Sequence, residues 1–271
     1  MSKPKTKDEI KNHKTEALNN FSAFMDSLIN SSDKTDIKRA DLISYWIKDF
    51  QQYIAQERSF DASKIKSYKR GDVVKVNLGF NVGSEQGGLR YAIVLDKNNH
   101  HNSKTITVIP LTSQKNQKEV NPRDVFLGKE LYNRLKSKYD SAKIDLETRR
   151  AKCEEHINTL QFTRAVFSNI TTEKLAASAN LQKSIDQFDT MLQEANADLE
   201  NLKQTVDSLK KIGQELQRMQ NGSIAQIEQI TTISKQRIYD PKKSADVLAG
   251  IHFSDAAMEK INEKIKELFI F

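Results

Sequence analysis

At 271 residues the chain is long enough for two ordinary domains, or one with large additions, and its 29% charged and 7% aromatic content excludes an extensive core. A mean hydropathy of -0.65, a formal net charge of +7 and a pI near 9.2 favour long solvated helices and polyanionic partners, without choosing among such partners. One cysteine, Cys153, excludes an intrachain disulfide. With no signal-like opening segment and no apolar run of bilayer length, a cytoplasmic protein with no membrane association is expected.

Residues 1–68 contain no glycine, and Pro4 is their single proline. Apolar residues recur at Ile10, Ala17, Leu18, Phe21, Met25 and Leu28. After the Ser31-Ser32-Asp33 break they resume at Ile37, Leu42, Ile43, Trp46, Ile47, Phe50, Tyr53 and Ile54. This spacing places one stripe on each of two helices, an N-terminal hairpin that buries too little alone and must pack on something else. From residue 69 the pattern alternates, with Val73, Val74, Val76 and Leu78, then Ala92–Leu95, then Ile106, Val108, Ile109 and Leu111. β-branched enrichment between Gly or Asn breaks predicts three strands. Their connections are too short for crossover helices, which predicts an antiparallel sheet curled into a small barrel.

Residues 127–220 change texture again. Leu181, Ile185, Phe188, Leu192, Ala195, Leu199, Leu202, Val206, Leu209, Gly213 and Leu216 step by threes and fours, a heptad pattern. Leu135, Tyr139, Ala142, Leu146, Arg149, Cys153, His156 and Leu160 carry a weaker version. The break at Ser168-Asn169-Ile170-Thr171-Thr172 between the two runs predicts an antiparallel coiled-coil hairpin. A helix over residues 173–219 would reach about 70 Å at about 1.5 Å per residue, so the arm must protrude. Residues 127–221 hold 15 Lys or Arg against 14 Asp or Glu, which leaves nearly all of the positive surplus on the rest of the chain.

After Asn221-Gly222 the alternation returns in "SIAQIEQITTISKQRI", and Met258, Ile261, Ile265, Leu268 and Phe269 mark a closing helix with Ser254 placed as its cap. A hairpin leaves and rejoins a fold at one place. The reading is therefore an α+β chain: an N-terminal helical hairpin over 1–68, a discontinuous domain of 69–126 and 221–271, and an antiparallel coiled coil, 127–220, inserted in it.

Four blocks carry a resemblance in order along the chain: "RGDVVKVNLGFNVGSEQGGLRYAIVLDKN", "ITVIPLTSQ", "IAQIEQITTISKQRI" and the final helix. Together they resemble the MazF/PemK family of toxin endoribonucleases. The resemblance implies a small SH3-like antiparallel β-barrel of the MazF, PemK and CcdB type, with the last helix packed on it, usually as a homodimer. It also implies the toxin of a type II toxin–antitoxin system, which cleaves single-stranded RNA (mRNA) at short sequences by 2'-hydroxyl attack, with no metal ion and no cofactor. A cognate antitoxin protein would inhibit it by occupying the RNA groove. The family's catalytic pair falls on Arg90 and Thr112. Substrate binding falls on Ser84, Glu85 and Gln86 of the glycine-rich turn, and on Gln114 and Gln229. An alternative on the same barrel is a catalytically inactive RNA- or protein-binding scaffold, since much of the chain lies outside the four blocks.

The chemistry suits those residue types. Attack by a ribose 2'-hydroxyl passes through a phosphorane with extra negative charge, which a fixed guanidinium stabilises more than the ground state. A threonine hydroxyl on a stiff β-branched side chain can hold a phosphate oxygen or the attacking group in line. Two departures stand out, Tyr91 and Phe80, where the family often has proline; each is expected to reshape the groove. Gyrase poisons that share the barrel rely on a C-terminal tryptophan, whereas the single tryptophan here is Trp46. His100 and His101 read as loop residues rather than metal ligands, Cys153 and His156 as seam residues, and Trp46 and Phe50 as packing. Lys115 and Lys118 read equally as RNA-backbone contacts or solvated loop charges.

Overall fold

The computed structural model describes residues 5–114, 119–168 and 179–270. Lys115, Lys118 and the predicted hairpin break over 169–172 lie outside them.

Two helices open the chain. α1 spans Lys7–Ile29 and starts at a capping box, in which Thr6 accepts from the Glu9 amide at 3.2 Å and Glu9 accepts from the Thr6 amide at 2.6 Å. α2 spans Lys34–Gln56 and is capped by Asp33. The pair closes on a small cluster of Met25, Leu28, Ala40 and Ile43, into which Phe80 from the next part of the chain inserts.

The strands follow: β1 (Tyr68–Lys69), β2 (Val73–Asn77), β3 (Leu89–Val94), β4 (Asn98–Asn99), β5 (Thr105–Ser113) and β6 (Val125–Phe126). After the long helices come β7 (Ser223–Ala225), β8 (Thr231–Ser234) and β9 (Ile238–Asp240). β1 pairs with β4; the others form one antiparallel sheet in the order β6-β7-β5-β3-β2-β9, with β8 beside β5. Strand pairing thus joins the stretches before and after the long helices. β5 serves two partners in succession, β8 along Thr105–Val108 and β7 along Leu111–Ser113. Among the described residues no ladder closes the predicted barrel, because the path ends at β6 and β9. The long predicted strand segment "SIAQIEQITTISKQRI" is also broken, by one-turn 3₁₀ helices at Ile227–Gln229 and Lys235–Arg237, which bend the chain around the sheet.

The sheet buries both faces. One face packs Val74, Val76, Ala92, Val94, Ile106, Val108, Ile233 and Ile238 among themselves with Tyr68, a core made by strands curling over one another. The other packs Val73, Ile93, Ile109 and Leu111 against helices. Those helices are α3 (Glu130–Ser168), α4 (Ala179–Arg218) and α5 (Asp255–Phe269). Ser254 caps α5 by accepting from the Ala257 amide, and Ala257, Met258 and Ile261 enter the core.

α3 and α4 run side by side and antiparallel, with Tyr139 against Gly213 near the sheet and Lys152 paired to Asp198 at 3.1 Å further out. Leu131, Leu135, Ile212 and Met219 at the base of this arm belong to the same core as β2, β3 and β5. The base is therefore a wall of the sheet rather than a hinged appendage. Farther along, the heptad positions Leu192 and Leu199 stay 42% and 43% exposed, while Cys153 on the facing helix is buried at 6%, so apolar burial along the outer arm is uneven.

The N-terminal hairpin grips the turn between β2 and β3. A Cβ on Gly79, whose φ is +83°, would stand 2.7 Å from the Trp46 ring. Gly79→Ala combines that clash with a disfavoured backbone and is expected to cost about 2 kcal/mol. Trp46 is the sole tryptophan. Its fluorescence should move to longer wavelength as the hairpin lifts, and an unshifted spectrum with unchanged melting would contradict this docking.

Candidate active site

Arg90 lies on β3, opposite Val76 of β2. The β3–β5 register pairs Ala92 with Pro110. That ladder ends there, two residues short of Arg90 on β3 and of Thr112 on β5, and Thr112 itself pairs with Ile224 of β7. The glycine-rich turn explains how the arginine is delivered. Gly88 has φ +76° and its amide donates to the Gly79 carbonyl at 2.6 Å, while a Cβ on Gly87 would meet that carbonyl at 2.7 Å. The turn closes only with small residues at this point. Arg90 Nε then donates to the Gly87 carbonyl at 2.9 Å, which uses one of its five donors and leaves the guanidinium exposed.

Arg90 and Thr112 line one cleft of about 130 Å³. Tyr91, Ser113, Ser223, Asn221 and Arg218 add to its polar wall, with Leu111, Leu131 and Met219 as apolar floor, and among the described residues no Asp or Glu lines it. Two guanidinium groups, hydroxyls and an amide without a carboxylate make an anion-receiving hollow.

The remaining residues assigned by resemblance divide. Glu85, Gln86 and Gln229 border a second hollow of about 370 Å³, together with Asn81, Glu228 and Arg237. There the Gln86 amide donates to Gln229 Oε1 at 3.1 Å and Asn81 Nδ2 donates to the Gln86 carbonyl at 2.7 Å. The Gln86 N–H is thus satisfied within the chain, and Gln229 ties the turn to the segment between β7 and β8. Ser84 is exposed and borders neither hollow. Gln114 borders neither, and its amide donates to Gly222 at 2.8 Å.

One cluster beside the cleft was missed from sequence. Lys75, only 6% exposed, contacts Glu215 of α4 at 2.7 Å. Arg218 reaches the same carboxylate at 3.1 Å, and the Tyr91 hydroxyl donates to its other oxygen. Burial alone would raise the Glu215 carboxyl, but hydrogen bonds from Lys75 and Tyr91 and the two positive charges outweigh it and hold the carboxyl below its ordinary value. Burial and the neighbouring carboxylate push the Tyr91 phenol well up, so it stays a donor. The available signal was Tyr91 standing where the family often has proline: it ties β3 to α4.

Phe80, the other departure, anchors the N-terminal hairpin, with Arg39 5.8 Å from its ring centre. Asn77 donates to Asp49 at 2.8 Å and Arg237 lies 5.3 Å from the Trp46 ring centre, so the hairpin contacts the turn and the edge of the second hollow. His100 and His101 contribute backbone carbonyls, which accept from the buried Lys235 ammonium at 3.1 and 3.5 Å. Among the described residues no group of three His, Cys, Asp or Glu could hold a metal ion, and no helix is long and apolar enough to cross a membrane.

A curled antiparallel sheet, a turn closed by glycines and a cleft lined by two arginines make an α+β protein with a basic candidate site. Residues 69–172 match the family model of PemK-like, MazF-like toxins of type II toxin–antitoxin systems, so this stretch of the chain is similar to the MazF/PemK toxins. The match runs past residue 126 into α3 and ends before β7, β8, β9 and α5. No curated protein matches the chain.

Proposed function

We propose that this protein is a toxin endoribonuclease that cleaves single-stranded RNA, mRNA above all, at short sequences, with Arg90 and Thr112 as its catalytic pair. The observation that carries the reading is the acid-free cleft bordered by both residues. The ribose 2'-oxygen attacks phosphorus, the bond to the 5'-oxygen breaks, and the products are a 2',3'-cyclic phosphate and a 5'-hydroxyl. Arg90 stabilises the charge that builds on the phosphoryl oxygens. Thr112 donates to one of those oxygens and holds the phosphate in line. The reaction needs no metal ion, since a fixed guanidinium supplies the charge that a cation would. Glu85, Gln86 and Gln229 at the second hollow, with Ser84 and Gln114 outside both hollows, are proposed to meet the flanking nucleotides, whose splayed bases offer their edges to such side chains.

In this reading 69–126 and 221–271 form one SH3-like barrel domain, and 127–220 is its coiled-coil insertion. The protein works as a cytoplasmic homodimer, and a cognate antitoxin inhibits it by covering the cleft. Full-length protein incubated with several unrelated single-stranded RNAs in excess EDTA is expected to cut at recurrent short sequences. Intact RNA across the set, with folded protein, would refute the reading and favour an inactive binding scaffold. Thr112→Val keeps shape and removes the hydroxyl, and is expected to lower kcat by about 10²-fold with little change in KM. A selective rise in KM would instead make Thr112 a binding residue only.

A further inference from the structure

We propose that Arg218, supplied by the inserted arm, is a second phosphate-binding guanidinium of the candidate active site and holds the RNA phosphodiester together with Arg90. The inference rests on the nuclease reading above and adds to it a residue outside the four blocks that carry the family resemblance.

Arg218 is the last residue of α4 and borders the same 130 Å³ cleft as Arg90 and Thr112. Its backbone is fixed, because the next residue, Met219, is 5% exposed in the core and its amide donates to the Leu216 carbonyl at 3.1 Å. The side chain is 62% exposed, so its charge is available from the cleft. Glu215 does not neutralise it. That single carboxylate also faces Lys75 at 2.7 Å and accepts from Tyr91, so Arg218 shares it with two other donors rather than holding it alone. One Arg218 nitrogen touches Glu215 at 3.1 Å; the rest of the planar fork can meet phosphate oxygens. Arg218 also borders a neighbouring hollow that holds Glu215 and Asp240, but among the described residues no Asp or Glu lines the cleft it shares with Arg90, and on that side a phosphodiester is the natural counter-charge.

The arm is thereby part of the active site rather than a spacer. Its tip can lie far from the sheet, but its base, packed through Leu131, Leu135 and Ile212, sets where Arg218 stands.

The test compares full-length wild type, Arg218→Ala, Arg218→Lys and Arg90→Ala on two readouts. The first is binding of a 2'-O-methyl single-stranded oligonucleotide, which cannot be cleaved, across a range of salt. Arg218→Ala is expected to bind about tenfold more weakly, with the slope of log affinity against log salt reduced by about 0.7. Arg218→Lys should keep the slope. The second readout is RNA cleavage, where Arg218→Ala should lower kcat/KM by about 10- to 100-fold and Arg218→Lys by less. If Arg90→Ala is inactive while Arg218→Ala matches wild type in affinity, slope and kcat/KM, this inference falls and the nuclease reading stands. If Arg90→Ala cleaves like wild type, the nuclease reading of the cleft falls with it, and the binding slope alone decides whether Arg218 meets phosphate. Should Arg218→Ala fail to fold, Arg218→Lys decides: a kept slope with lowered turnover supports the proposal, and unchanged turnover overturns it.

Discussion

Arg90→Ala is expected to lower RNA cleavage by at least about 10³-fold while leaving stability within about 0.5 kcal/mol of wild type. The two halves of that expectation rest on different observations. Loss of activity follows from the side chain's place at the mouth of a cleft with a threonine hydroxyl and no carboxylate. A developing phosphorane charge there would lose its oriented donors, and water in their place must reorganise during the reaction. The small effect on stability follows from exposure: the side chain makes one hydrogen bond, to the Gly87 carbonyl, and that carbonyl faces solvent when the guanidinium is gone. Arg90→Lys should recover part of the activity, because charge returns without the planar fork. Circular dichroism and thermal melting alongside the cleavage assay separate the two effects. A variant that cleaves normally refutes the catalytic role, and one that unfolds refutes the account of how the turn is held.

Glu215→Ala is expected to produce the largest loss of stability, about 3–5 kcal/mol, because it strands a buried ammonium. Lys75 is 6% exposed, and its other close contacts are the faces of Tyr91 and Tyr239, at 5.3 and 5.7 Å from the ring centres. Those rings offer a fraction of what a carboxylate gives. The Tyr91 hydroxyl would lose its acceptor as well. The double variant Lys75→Met with Glu215→Leu removes both charges and should recover most of the loss, so a double-mutant cycle by denaturant unfolding isolates the pair. Equal losses in the single and double variants would show that shape, not charge, was removed.

The same carboxylate sets an acid limit. Its folded-state value is depressed, so its contribution is present above its unfolded value of about 4.3 and is lost as pH falls through the lower folded value. Stability near neutral pH should therefore be insensitive to this group. Protection of the Lys75–Tyr91 region in hydrogen exchange should fall only below about pH 4 in wild type, and that step should be missing in the double variant.

Legibility in the sequence differed by element for physical reasons. Periodicity located β2, β3 and β5, because each strand packs against both faces of the sheet and its apolar residues leave little choice of partner. It also located α1, α2 and the capped α5, whose boundaries are set by Thr6, Asp33 and Ser254. The bends at Ile227–Gln229 and Lys235–Arg237 were hidden, since a one-turn 3₁₀ helix leaves no period to read. The heptad suggested an apolar seam along the whole arm, yet Leu192 and Leu199 remain exposed while Leu209 and Ile212 are buried, because only the base meets a third surface.

For the candidate site, motif order named Arg90 and Thr112, and the pairing of β3 with β5 brings both residues to the border of one cleft. Glu215 and Arg218 were not legible. Both sit among ordinary charged positions of a helix, and only the packing of Leu131, Leu135 and Ile212 reveals that this end of the helix abuts β3. Phe80 and Tyr91 were visible as departures. Their purpose needed the partners, Met25, Leu28, Ala40 and Ile43 for one and Glu215 for the other.

The central claim is that the cleft of Arg90 and Thr112 promotes attack by a ribose 2'-oxygen. It is tested most directly by offering the full-length protein, in excess EDTA, an RNA that it cuts and the same RNA with a single 2'-O-methyl group at the cleaved nucleotide. The account predicts that the unmodified strand yields 2',3'-cyclic phosphate and 5'-hydroxyl ends, and that the modified strand stays intact at that position. Cutting of the modified strand at the same bond, or ends carrying 5'-phosphate, would contradict it.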